Sequence, residues 1–216
     1  MSAADTPVHT GNEASSAVEQ VQTPIAEEPS VGNGIRVEGT MTVARTPLPE
    51  PRQDMVLSVV MTQGTYGEDW YPSNLMGRNW SGAFELQLSR EFEPPLMTFP
   101  LDAFFTDCNG LFELQFDDYN NDGDPDFTLG QYVSSNWNTY KLYTLRKDYQ
   151  IEELPVEGGE LIISGGSGRH SAKLEKVDAV SFRKSAYNIE SGKYINSIYS
   201  WDGALFKLTA QEKQGE

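Results

Sequence analysis

Two alternating runs on either side of an acidic loop constrain this chain more than any other feature. Phe112, Leu114 and Phe116 alternate with Glu113, Gln115 and Asp117; Phe127, Leu129, Gln131 and Val133 resume the pattern beyond the loop. A period of two is that of a half-buried strand, so residues 111–133 are predicted to form strand, loop, strand. The loop reads Asp118-Tyr-Asn-Asn-Asp-Gly-Asp-Pro-Asp126. Counted from Asp118, oxygen-bearing side chains fall at positions 1, 3, 5 and 9 (Asp118, Asn120, Asp122, Asp126), with Gly123 at position 6 and the Asp124 carbonyl at position 7. Calcium is a hard cation that takes six to eight oxygens, and this spacing wraps such donors around one point with glycine at the sharp turn.

A plain hairpin turn at Asp122-Gly123 is the alternative. It accounts for neither the register nor the charge: Asp117, Asp118, Asp122, Asp124 and Asp126 stand within residues 117–126. Carboxylates so close repel unless a cation compensates them. A calcium ion held by Asp118, Asn120, Asp122, Asp124 and Asp126 is the expectation.

The loop resembles the calcium loop of the FG-GAP and VCBS repeats, in which two strands flank the acidic segment and a short apolar run ends in glycine. Asp126-Phe-Thr-Leu-Gly130 keeps that spacing, whereas Gln131-Tyr132 stands where the family has Ala-Pro, and the upstream Phe-Gly is missing. The segment Ser134-Ser-Asn-Trp-Asn-Thr-Tyr-Lys-Leu-Tyr-Thr-Leu145 resembles uncharacterised secreted proteins of Gram-positive bacteria, a likeness extending over roughly half the chain. Neither resemblance implies an activity. Dockerins share the loop but continue into a helix with an acid at position 12; Leu129 holds that position here and Gly130 follows, so no EF-hand helix is expected.

At 216 residues the chain can bury one sizeable domain, or two small ones. Its formal charge of −16 argues against nucleic acid and anionic membrane surfaces as partners. Cys108 is the single cysteine, so no internal disulfide staples the fold. No apolar run reaches the length of a membrane span. The start, Met1-Ser-Ala-Ala-Asp, lacks the basic and apolar regions of a signal peptide. Yet a loop with so few charged ligands needs the high calcium found outside cells. A chain trimmed after its signal, extracellular or anchored at the cell surface by an upstream lipid, reconciles the two.

Residues 1–34 contain no aromatic residue, lysine or arginine, and such a segment cannot offset its chain entropy by burial. It is predicted to be a disordered tether, with residues 35–216 as a single all-β domain. Val37, Met41 and Val43 suggest a first strand, closed by Pro47, Pro49 and Pro51. Further strands are expected at residues 55–61, 83–88, 140–146, 151–156, 161–164, 171–177, 179–183, 194–201 and 204–209. Residues 64–78 read as a long loop carrying Trp70 and Tyr71, residues 97–105 as an apolar connector and residues 211–216 as a fraying end. No helical period persists beyond two turns, which predicts a β-sandwich or an irregular barrel. A propeller is not expected, because the loop occurs once and nothing repeats at a fixed period.

Catalytic chemistry finds little support. His9 and His170 are the only histidines. His170-Ser171 follows a glycine-rich stretch but lacks the G-x-S-x-G of a nucleophile elbow and the Lys-Ser/Thr of a phosphate loop. No His/Cys cluster could hold zinc. Glu91, Glu93, Glu113, Glu152, Glu153 and Glu160 offer carboxylate pairs for glycoside hydrolysis, but an acidic chain has such pairs by default. Trp70, Tyr71, Trp80, Trp137 and Tyr140 fall in or beside predicted loops. Exposed rings there would grip sugar as a carbohydrate-binding module does; buried ones would pack over the core. The sequence therefore predicts a calcium-binding extracellular β domain that works by binding or scaffolding, with carbohydrate or protein as its partner. A carbohydrate-binding module is the second choice and a hydrolase with structural calcium the third.

Overall fold

Alternating, β-branched and aromatic runs separated by proline and glycine give strands and no helix. The computed structural model describes residues 34–69, 77–107, 110–134, 136–164 and 169–213, with backbone alone over 102–107. The strands are β1 (Ile35–Val37), β2 (Met41–Pro47), β3 (Met55–Asp69), β4 (Gly77–Arg90), β5 (Met97–Asp107), β6 (Phe116–Asp117), β7 (Asp126–Ser134), β8 (Trp137–Leu145), β9 (Ile151–Leu154), β10 (Leu161–Ile163), β11 (Glu175–Lys176), β12 (Ser181–Asn188), β13 (Lys193–Trp201) and β14 (Phe206–Lys213). They form three open antiparallel sheets, so the architecture is a β-sandwich and not a barrel. The first sheet runs β1-β3-β4-β5 with β2 beside β3; the second runs β10-β8-β7-β6 with β9 beside β8; the third runs β11-β12-β13-β14.

The second sheet is the middle layer. Along β7, Phe127 and Leu129 join the core shared with Val43, Leu57, Val59, Phe84 and Leu86 of the first sheet. Along β8, Tyr143 and Leu145 point the same way, while Tyr140 and Leu142 enter a second core with Phe182, Tyr199 and Phe206 of the third sheet. A strand covered on both faces loses the hydrophobic–polar alternation of a half-buried one. The run Tyr140-Lys-Leu-Tyr-Thr-Leu145 shows this, with the Thr144 side chain fully buried.

Several sequence expectations need correction. The stretch from Gly64 to Asp69 is strand, pairing with residues 77–82, because Tyr66 and Trp80 stand opposite each other with ring centroids 5.2 Å apart. Such an aromatic cross-strand pair holds the ladder through the glycines. The supposed connector at 97–105 is β5, paired to β4. It lies at the sheet edge, where Pro100 can sit without costing a ladder bond. Residues 171–177 form strand only at Glu175–Lys176. Before the loop only Phe116–Asp117 pairs as a strand, since the Leu114 and Gln115 N–H groups donate to Thr46 Oγ1 and Ser171 Oγ instead. The tail expected to fray stays paired through Lys213, opposite Ile195. The proposed tether except Gly34, together with Trp70, Tyr71, Cys108 and the glycine-rich stretch at 165–168, lies outside the described residues.

Candidate metal centre

The acidic loop closes the β6–β7 hairpin, in which Phe116 pairs with Phe127 and Asp117 with Asp126. Its residues form a chain of side chain to backbone bonds that fold the loop on itself. Asp118 Oδ2 accepts from the Gly123 N–H at 3.0 Å, and Asn120 Oδ1 accepts from the Asp122 N–H at 3.2 Å. Asp122 Oδ1 accepts from the Asp124 N–H at 2.9 Å. Gly123 has φ = 83°, the left-handed turn that the register demands of position 6.

The loop is anchored from below. Tyr119, its second residue, is fully buried among Leu142, Leu174 and Phe182. Its hydroxyl accepts from the Leu174 N–H at 2.9 Å, and its own N–H donates to Asp126 Oδ2 at 2.8 Å. Asp126 is 0% exposed and Asp124 7%. The Oδ1 atoms of both are buried outside good hydrogen-bond geometry, and so is Thr144 Oγ1, whose hydroxyl lies across the strand close enough to Asp126 to act on its carboxyl. Burial pushes the Asp126 carboxyl up to about 7 against the pull of the Tyr119 N–H and of the nearby Thr144 hydroxyl, and the charges of Asp122 and Asp118 add to the shift. A cation beside it would reverse that balance.

Basic side chains meet part of the loop's charge from outside. Arg146, just beyond β8, places a guanidinium nitrogen 2.6 Å from Asp122 Oδ2 and 3.7 Å from Asp124 Oδ2, while its Nε donates to Glu152 at 2.8 Å. Burial raises Asp122, but the Asp124 N–H, the Asn120 amide and the Arg146 guanidinium outweigh it and hold the carboxyl below its usual range. Lys173 and Lys176 pair with Asp117 at 3.4 and 3.7 Å, and Lys176 also donates to the Asp118 carbonyl. These pairs are partly exposed, and each contributes at most about 1 kcal/mol.

The structure thus brings Asp118, Asn120, Asp122, Asp124 and Asp126 into one loop, though not onto one point. Among the described residues no three Asp, Glu, His or Cys side chains are gathered closely enough to hold an ion. Asp118 and Asp122 face backbone donors and Arg146, while Asp124 and Asp126 keep an oxygen turned inward without a partner. Carboxylate oxygens are hard donors of the kind calcium takes, and two of them, Asp124 Oδ1 and Asp126 Oδ1, are buried here without a donor. A groove of about 270 Å³ lined by Pro49, Arg52, Phe116, Asp118, Gly123 and Asp124 opens beside the loop. No family model, curated protein or solved structure matches the chain.

The other candidate sites look different. Trp80 and Tyr140 are buried in the two cores, and the Trp137 indole N–H donates to the Tyr187 carbonyl at 2.8 Å. Of the rings proposed to grip sugar, Trp70 and Tyr71 lie outside the described residues. His170 is buried with its ring 4.7 Å from that of Phe112, and the buried Ser171 hydroxyl accepts from the Gln115 N–H. Glu152 and Glu153 form ion pairs with Arg146 and Lys141. Tyr119, Thr144 and Arg146 are the site residues that loop spacing misses. Tyr119 carried a signal, an aromatic side chain inside an otherwise polar loop; the other two are brought in by the β7–β8 register.

Proposed function

We propose that the chain is a calcium-stabilised β domain of the extracellular space or cell surface, acting by binding or scaffolding rather than by catalysis. The observation that carries this reading is the pair of buried, unpartnered oxygens, Asp124 Oδ1 and Asp126 Oδ1, beneath a loop in calcium register. A buried carboxylate oxygen without a donor costs free energy that a bound cation returns. Asp118, Asn120, Asp122 and Asp126 would supply side-chain oxygens, and residue 124 its carbonyl or its carboxylate. Leu129 at position 12 leaves part of the shell to water. The affinity then belongs near the weak end of the known range, a dissociation constant on the order of 0.1 mM, which suits extracellular calcium. Among the described residues no helix is long and apolar enough to cross a membrane. The net charge of −16 continues to disfavour nucleic acid.

At about 2 mM calcium such an ion adds roughly 1.8 kcal/mol of stability by mass action, which raises the melting temperature by about 3 to 7 °C for a domain of this size. Magnesium requires a tight octahedron and sheds water reluctantly, so millimolar magnesium should leave the melt where the chelator leaves it. Thermal melts in calcium, magnesium and EGTA test this. Equal stabilisation by both ions would remove the calcium assignment, and identical melts in all three would remove the metal.

A further inference from the structure

Arg146 occupies the place where the loop needs positive charge. Its backbone is fixed from several directions: Arg52 donates to the Leu145 and Arg146 carbonyls at 3.3 and 3.0 Å, and the Arg146 N–H donates to the Gln150 carbonyl at 2.8 Å. The guanidinium therefore stands over the loop as part of the frame and bridges Asp122, Asp124 and Glu152. It takes the outer oxygen of Asp122, which the Asn120 amide nitrogen also contacts at 2.8 Å. Those two side chains are the register's ligands at positions 5 and 3. For either to turn inward toward the free oxygens of Asp124 (7% exposed) and Asp126 (0% exposed), Asp122 has to give up its outer partners. A doubly charged ion among these carboxylates would also repel a guanidinium within a few ångströms.

We infer that Arg146 is the resident counter-cation of the loop, displaced toward Glu152 when calcium binds, and that this exchange sets the calcium affinity. The inference rests on the calcium reading above. It assigns Arg146 two roles: it holds the loop together without the ion, and it weakens binding of the ion so that the site fills only at extracellular calcium levels. Glu152 gives the displaced guanidinium a place to go, since it already accepts the Nε hydrogen.

The test is a calcium titration of the full wild-type chain, Arg146→Gln and Arg146→Lys, each first stripped with chelator. Because a partly exposed ion pair contributes about 1 kcal/mol, Arg146→Gln should bind calcium about fivefold tighter than wild type. It should also melt below wild type in EGTA and lose that deficit in calcium, whereas an arginine with a purely structural role would lose equally in both buffers. Arg146→Lys keeps the charge and should stay close to wild type. An unchanged or weaker affinity in Arg146→Gln overturns the exchange and leaves the calcium reading intact, and so does an equal gain in Arg146→Lys. No binding by any of the three overturns the calcium reading itself. Should Arg146→Gln not fold, the Arg146 Nε–H signal in spectra of the wild-type chain decides: it should move on saturation with calcium, and a signal that stays put while calcium binds overturns the exchange.

Discussion

Phe182→Ala should cost about 3 to 5 kcal/mol, the loss expected for emptying a buried aromatic position. Phe182 is fully buried at the centre of the second core, with ring centroids 5.6 Å from Tyr119, 5.6 Å from Tyr199 and 4.9 Å from Phe206. The Tyr119 contact makes the effect more than a loss of packing. Tyr119 carries the N–H that holds Asp126, so a cavity beneath its ring loosens the base of the acidic loop. The melting temperature should fall by about 6 to 20 °C, and calcium should recover less of it than in wild type. Phe92, 93% exposed at the β4–β5 turn, is the control: Phe92→Ala should stay within about 0.5 kcal/mol of wild type. Equal losses at the two positions would mean that the third sheet does not pack as described.

Asp126→Asn should separate the cost of the buried carboxylate from the benefit of the proposed ion. The amide keeps an oxygen for the Tyr119 N–H and offers a donor toward Thr144 Oγ1, which lies across the strand. It also removes a buried charge that no cation touches in the absence of calcium. In EGTA the variant should therefore be more stable than wild type by about 2 kcal/mol, on the scale of relieving an uncompensated buried ion. In calcium it should gain nothing, because a charged ligand is gone. Chemical denaturation of both chains in both buffers reads the two effects together. A variant that is weaker than wild type in EGTA would show that the carboxylate is satisfied as it stands.

The spacing proposed for calcium ligands can be read in sequence because calcium loops place their oxygens locally, and Asp118, Asn120, Asp122, Gly123 and Asp126 carry that spacing without outside help. The residues that complete the site come from elsewhere in the chain. Thr144 faces Asp126 only because β7 and β8 pair in one register, and Arg146 reaches Asp122 only because β8 ends beside the loop. Strand content was largely visible from the period of two. The errors fell where local chemistry was overruled: the Tyr66–Trp80 pair kept a glycine-containing stretch in strand, and an edge position accommodated Pro100 in β5. The three-layer stacking left one trace in the sequence, the run from Tyr140 to Leu145 in which alternation fades because both faces are covered. That trace suits a buried strand of any architecture, so it could not name the layers.

On the proposed function, the buried oxygens Asp124 Oδ1 and Asp126 Oδ1 belong to a calcium ion. Calorimetric titration of calcium into the chelator-stripped wild-type chain, with Asp126→Asn in a parallel cell, tests this. One site per chain with a dissociation constant on the order of 0.1 mM is predicted for wild type, and no binding heat for the variant. Absence of binding in wild type, or the same isotherm from both chains, would contradict it.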